Sequence, residues 1–125
     1  LVIYGDMDGL KNINDTYGHE AGDRAIAAEA SLLDSIFRSS DITGRLHGDE
    51  FGIVAPGLTK RVFTRISSEL RQKTDEWNRT SGEPFTLSIS LGTAEFSKGK
   101  DLLAELLKEA DTSMYDEKNS KHGRK

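Results

Sequence analysis

The chain has 125 residues, 17 Lys and Arg against 21 Asp and Glu for a formal charge of -4, and no cysteine. That length fits one domain able to bury its own core, and the missing thiols exclude a disulfide framework, a thiolate zinc site and thiol redox chemistry, with a reducing cytoplasm as the natural compartment. The net negative charge disfavours a general nucleic-acid binder, no apolar run approaches the roughly 20 residues of a membrane helix, and the first residues do not read as a signal peptide.

Leu1 to Tyr4 is a short apolar, β-branched run closed by Gly5, the pattern of a buried strand with Asp6 at its end. Asp8 is placed to cap a short helix through Leu10, Ile13 and Asn14, which Gly18 ends. A longer helix follows, because Ala25, Ile26, Ala30, Leu33 and Phe37 recur at helical spacing, with Asp23 expected in its first turn. Ile42 to Leu46 and Phe51 to Ala55 read as two strands of a hairpin turning at His47-Gly48-Asp49-Glu50.

Pro56-Gly57 stops the second of these strands, and Val62, Ile66, Leu70 and Lys73 mark an amphipathic helix that fades into a loop over Asn78 to Glu83. Phe85, Leu87, Ile89 and Leu91 alternate with Thr86, Ser88, Ser90 and Gly92, the period of two of a strand with unlike faces. A last helix is expected from about Leu102 through Leu106, Ala110 and Met114, before a basic tail from Lys118 to Lys125. Hairpins mixed with crossover helices give an α+β sandwich, a mainly antiparallel sheet covered by helices.

The chemistry concentrates in two fragments, Asp6-Met7-Asp8 at the end of the first strand and Arg45-Leu46-His47-Gly48-Asp49-Glu50-Phe51 around the hairpin tip. Carboxylates gathered this way repel one another unless a divalent cation neutralises them, which suggests metal-dependent phosphate chemistry. Taken singly, each residue has an ordinary explanation. Asp6 and Asp8 end a strand and cap a helix, Asp49 and Glu50 make a solvated turn, His19 satisfies carbonyls at a helix end, Lys11 and Lys118 are surface charges, and Arg38 and Asp41 form a surface ion pair.

Together, Asp6-Met7-Asp8-Gly9-Leu10-Lys11-Asn12-Ile13-Asn14-Asp15, then Gly18-His19, Gly22-Asp23, His47-Gly48-Asp49-Glu50-Phe51, and late Ala110-Asp111, Met114-Tyr115 and Lys118 resemble the GGDEF family of diguanylate cyclases over nearly the whole chain. The resemblance implies a ferredoxin-like, nucleotidyl-cyclase-like sandwich and a single catalytic domain, 1–125, without the family's usual opening segment before the first strand. It implies condensation of two GTP into cyclic di-GMP. Asp6, the Met7 carbonyl and Asp49 would hold magnesium, with manganese as a substitute, and Asp49 or Glu50 would take the hydroxyl proton. Lys11 would lie near the phosphates, Asn14 and Asp23 would read guanine, His19 would sit beside the nucleotide, and Lys118 would contact the terminal phosphates.

Arg38-Ser39-Ser40-Asp41 is similar to the family's RxxD product-inhibition site, which implies feedback by cyclic di-GMP. The implied partners are GTP, cyclic di-GMP, a second copy meeting the first through the active-site face, and an upstream sensory or regulatory domain, in a cytoplasmic protein or the cytoplasmic part of a membrane-attached one. Two positions depart from the family pattern. His47 replaces the first glycine of the signature, and the tail runs Lys118-Asn119-Ser120-Lys121-His122-Gly123-Arg124 where the family more often has Gly-Arg after two intervening residues. The alternative is a degenerate domain that binds GTP or cyclic di-GMP and regulates or dimerises without turnover.

Overall fold

A computed structural model of the chain describes residues 1–94, 112 and 114–119. The order along the chain is β1 (Val2–Met7), α1 (Leu10–Tyr17), α2 (His19–Ile36), β2 (Ile42–His47), β3 (Glu50–Val54), α3 (Lys60–Thr80) and β4 (Ile89–Ala94), with 114–119 helical. The strands form one antiparallel sheet in the order β2-β3-β1-β4, so β1 sits inside it. This is the helix-covered α+β sandwich that the sequence pattern implies.

The alternation along β1 divides the sheet into two faces. Ile3 and Met7, with Phe51, Ile53 and Leu91 from the neighbouring strands, pack beneath Leu10 and Ile13 of α1, Ala21, Ala25 and Leu33 of α2, and Leu70 of α3. Ile3, Met7, Leu33 and Ile53 are fully buried, and each such side chain contributes about 1.5–3 kcal/mol over leaving it in water. Val2, Ala94 and Tyr4 form a smaller cluster apart from this core.

Several boundaries differ from those read in the sequence. The N-cap of α1 is Gly9 rather than Asp8, and no side chain caps that helix, because the Asp8 carboxylate is taken by Ser88 and Ser90. Helix α2 begins at His19, so Glu20 occupies its first turn and Asp23 lies one turn further in. Gly18 alone separates α1 from α2, with φ 93° and ψ 164°, an extended left-handed position that a side chain would strain. The hairpin turn tightens to Gly48-Asp49, with His47 opposite Glu50.

Helix α3 continues through Asn78 to Thr80, and the last strand starts at Ile89, four residues after Phe85. The cause is the Asn78 amide. It accepts from Leu87 N–H at 2.7 Å and donates to Leu87 C=O at 3.0 Å, replacing a strand neighbour with a side chain. Phe85 and Leu87 are nevertheless buried, Phe85 against Trp77 with ring centroids 5.9 Å apart. The expected helix over Leu102, Leu106 and Ala110, the tail from 120 onward, and the reading of the His47 imidazole lie outside the described residues.

Replacing Asn78 with Ala removes both bonds to Leu87 and is expected to destabilise the protein by about 1–3 kcal/mol in urea unfolding. Thr80→Ala, which removes one exposed hydroxyl bond to the Glu76 carbonyl, is expected to change stability by less than about 0.5 kcal/mol.

Candidate functional site

Strand register assembles the acidic end of the sheet. Asp6 lies opposite Glu50 on β3 and opposite Ser90 on β4, on the face away from the α1–α2 core. The hairpin turn is fastened to the same place by Met7 N–H, which donates to the Asp49 carbonyl at 2.8 Å. Asp6, Met7, Asp49 and Glu50, separated by more than 40 positions in the chain, therefore meet at one strand end.

Asp8 belongs to this group through bonds that the sequence pattern did not reveal. Ser88 Oγ donates to Asp8 Oδ2 at 2.6 Å, Ser90 Oγ reaches Oδ1 at 2.9 Å and Oδ2 at 3.2 Å, and Asp8 N–H donates to the Ser88 carbonyl at 2.8 Å. The signal was two hydroxyls at i and i+2, on one face of the alternating segment. From the far end of the chain, Lys118 Nζ donates to Asp6 Oδ2 at 3.0 Å and lies 3.6 Å from Asp8 Oδ1. Its helix is tied to the sheet by Glu117, whose Oε2 accepts from Leu91 N–H at 2.6 Å, and by the buried Met114.

The electrostatics follow from this crowding. Burial raises the Asp6 pKa and the neighbouring Asp49 carboxylate adds to the rise, while Lys118 pulls the other way; the result lies above the ordinary aspartate value. For Lys118, burial disfavours the charge, but the hydrogen bond to Asp6 and the fields of Asp6, Asp8 and Asp49 hold its pKa above the ordinary lysine value.

Asp6 Oδ1 is buried and takes no hydrogen bond from the described residues. An oxygen left in that condition beside a second carboxylate suits a hard divalent cation, and the donor set of Asp6, Asp49 and the Met7 backbone is all oxygen. Among the described residues no three His, Cys, Asp or Glu side chains form a cage of their own. A small hard cation commonly takes one or two carboxylates and fills its remaining positions from water and phosphate oxygens.

The residues expected to meet a nucleotide lie on the helical pair. Asn14 is half-buried on α1, and the backbone of α2 approaches it so closely that a Cβ on Gly22 would collide with Asn14 Oδ1. Asp23 follows directly after that contact, and Lys11, His19 and Asp23 are solvent-exposed. Arg38 and Asp41 stand apart, where β2 starts at Ile42. Ile42 pairs with Val54, which pairs with Val2, at the end of the strands remote from Asp6. Arg38 grips Asp41 through Nη2 to Oδ1 at 2.7 Å, Nε to Oδ2 at 3.2 Å and its backbone N–H to Oδ2 at 2.8 Å, and donates to the Pro56 carbonyl at 2.8 Å. A surface recess of about 330 Å³ adjoins them, lined also by Asp34, Phe37, Ser39 and Thr43.

Comparison with known proteins gives one consistent result. The family model described as diguanylate cyclase, GGDEF domain, matches residues 1–124. Among curated proteins, Probable diguanylate cyclase DgcE of Escherichia coli (strain K12) is 34% identical over 127 residues, an alignment covering 98% of this chain and 11% of the relative. Among solved structures, diguanylate cyclase SiaD from Pseudomonas aeruginosa, in complex with its activator SiaC, superposes with a TM-score of 0.84 at 28% identity, covering 95% of this chain and 46% of SiaD. The GGDEF domain of DgcB from Caulobacter crescentus, in complex with c-di-GMP, gives 0.83 at 26% identity, covering 95% and 71%.

The Arg38–Asp41 pair makes a pH-dependent contribution whose sign is fixed. The hydrogen bond from Arg38 holds the Asp41 carboxyl below its ordinary value against the effect of burial. A carboxyl depressed by folding stabilises the protein above its unfolded pKa, near 3.9, and loses that contribution as pH falls through the folded value. The thermal midpoint of Asp41→Asn is expected to lie below that of the parent at pH 6, with the gap narrowing below about pH 4 in circular-dichroism melts.

Proposed function

The chain belongs to the GGDEF domain family, and on that premise we propose that it is a diguanylate cyclase, joining two GTP into cyclic di-GMP with release of two pyrophosphates. The observation that carries the reading is the meeting of Asp6, Asp49 and Lys118 at one strand end, with the buried Asp6 Oδ1 open to a cation. In the reaction each 3'-hydroxyl attacks the α-phosphate of the other nucleotide, so two P–O bonds form and two break. Magnesium or manganese, held by Asp6, Asp49 and the Met7 carbonyl, supplies charge neutralisation at the phosphates when bound.

This chain's own residues do the rest. Asp49 or Glu50 accepts the proton of the attacking hydroxyl. Lys11 offsets charge developing on the leaving pyrophosphate, and Lys118 takes the terminal phosphates. Asn14 exchanges donor and acceptor with the guanine edge, and the Asp23 carboxylate accepts from N1–H and N2–H, which adenine does not present. His19 lies beside the nucleotide. Since each domain holds one GTP and the bonds form between two, the working unit is a homodimer joined through the active-site face, driven by an upstream sensory or regulatory domain of the longer protein.

Arg38 and Asp41 form the product-inhibition site, where a guanidinium fork and a carboxylate suit the phosphate and guanine edge of cyclic di-GMP. His47 supports a second reading, a degenerate domain that binds GTP or cyclic di-GMP without turnover, because a Cβ replaces the signature's first glycine.

Incubation with GTP and magnesium at high protein concentration, with chromatographic detection of cyclic di-GMP, separates the two. The parent is expected to form product and Asp49→Ala to lose at least about 100-fold in rate. Magnesium-dependent GTP binding without product, with turnover appearing on His47→Gly, selects the degenerate reading. Gly22→Ala, which displaces the Asn14 amide, is expected to raise the KM for GTP roughly tenfold with a smaller change in kcat.

A further inference from the structure

The ion pairs of Lys118 engage the same aspartate that the proposed reaction assigns to the metal. Its ammonium donates to Asp6 Oδ2 at 3.0 Å and stands 3.6 Å from Asp8 Oδ1, within the field of Asp49. Its side chain is 21% exposed and that of Asp6 16%, so the pair is largely shielded from solvent screening. The other Asp6 oxygen, Oδ1, is buried without a hydrogen bond from the described residues. Lys118 thus neutralises part of the acid cluster and leaves one oxygen of the shared carboxylate open.

We propose that Lys118, before it meets the substrate's terminal phosphates, competes with the divalent cation for Asp6, holding the carboxylates together until the cation arrives and leaving them when it binds. The inference rests on the reading of Asp6 as a metal ligand. Two cations against one half-buried carboxylate repel each other strongly, so a bound divalent ion weakens the Lys118–Asp6 pair and the pair weakens metal binding. The anchoring of the same helix turn fits an arm that swings from a fixed base. Met114 is buried and the Glu117 carboxylate holds Leu91 N–H, so the backbone stays while four side-chain torsions carry the ammonium. Asp8 does not follow Lys118, since Ser88 and Ser90 hold it.

The consequence is an inversion of sign between two ligands. Lys118→Met, which keeps the stem and removes the charge, is expected to bind manganese without nucleotide about tenfold more tightly than the parent, followed by electron paramagnetic resonance of free manganese. The same variant is expected to bind GTP with magnesium more weakly. A lysine that merely braced the fold would lower both affinities together. Manganese binding by the parent with equal or weaker binding by Lys118→Met would overturn the exchange and leave Asp6 standing as a ligand. Absence of manganese binding by either protein without nucleotide would overturn the exchange, and GTP binding by the parent that is indifferent to magnesium and unchanged in Asp6→Asn would overturn the metal reading as well.

A second measurement uses the unaltered protein and does not depend on how the Met variant folds. The Lys118 Cε–Hε resonance, assigned by its loss in Lys118→Arg, is expected to move on saturation with magnesium. A resonance left in place at saturation would overturn the exchange.

Discussion

Carboxylates that share one strand end repel one another, and the geometry around Asp6 is arranged to contain that repulsion. Asp6 faces Glu50 across the β1–β3 register, has Asp49 beside it through the Met7 amide, and shares the Lys118 ammonium with Asp8, the first residue beyond the strand. Two hydroxyls absorb Asp8 and one ammonium absorbs part of Asp6. Without those partners the negative charge would press the strand ends apart, and the hairpin tip would be the first element to leave. The rest of the fold can be read as support for this end. The sheet register brings the acids together, the three helices bury the opposite face, and a short helical stretch carries Lys118 back to it.

The two sides of the proposed site are built differently for a physical reason. The acidic side depends on residues far apart in the chain and is held by strand pairing, whose repeated backbone bonds set the register. The nucleotide side depends on residues close in the chain, with Asn14, His19 and Asp23 on two helices joined by one residue. Metal and phosphate chemistry tolerates little displacement, whereas base reading at a solvent-exposed edge tolerates more. Placing Arg38 and Asp41 at the remote end of β2 separates any product held there from the acids by the length of the strand.

Much of this was legible because it is periodic. The apolar run at Leu1 to Tyr4 and the helical spacing from Ala25 to Phe37 mark a strand and a helix that are both present, although β1 continues through Gly5 to Met7 and α2 starts earlier, at His19. The strand expected from Phe85 starts only at Ile89, for the opposite reason. Phe85 and Leu87 are buried as a strand's inner face would be, but their backbone partner is the Asn78 amide, and side-chain substitution for a strand leaves no trace in an alternation. Asp8 departs from its local pattern in the same way. A local rule favoured a helix cap, and Ser88 and Ser90, 80 and 82 positions away, outbid it. The acids at Asp6 and Asp49 were legible as a charge problem, but the lysine that answers it was recognisable only through family resemblance, since an isolated Lys118 carries no signal of its partner.

Gly18 closes α1 and opens α2 as a single residue, accepting from Gly22 N–H and donating to the Asn14 carbonyl. The joint therefore has no slack, and the pair behaves as a bent rod rather than two hinged ones. One residue inserted there would rotate α2 by about 100° about its axis and carry Gly22 away from the Asn14 side chain that it packs against. Loop-length variation among homologous chains should accordingly be absent at this bend and collect elsewhere, for example between α3 and β4, where the Asn78 clasp rather than chain length sets the path.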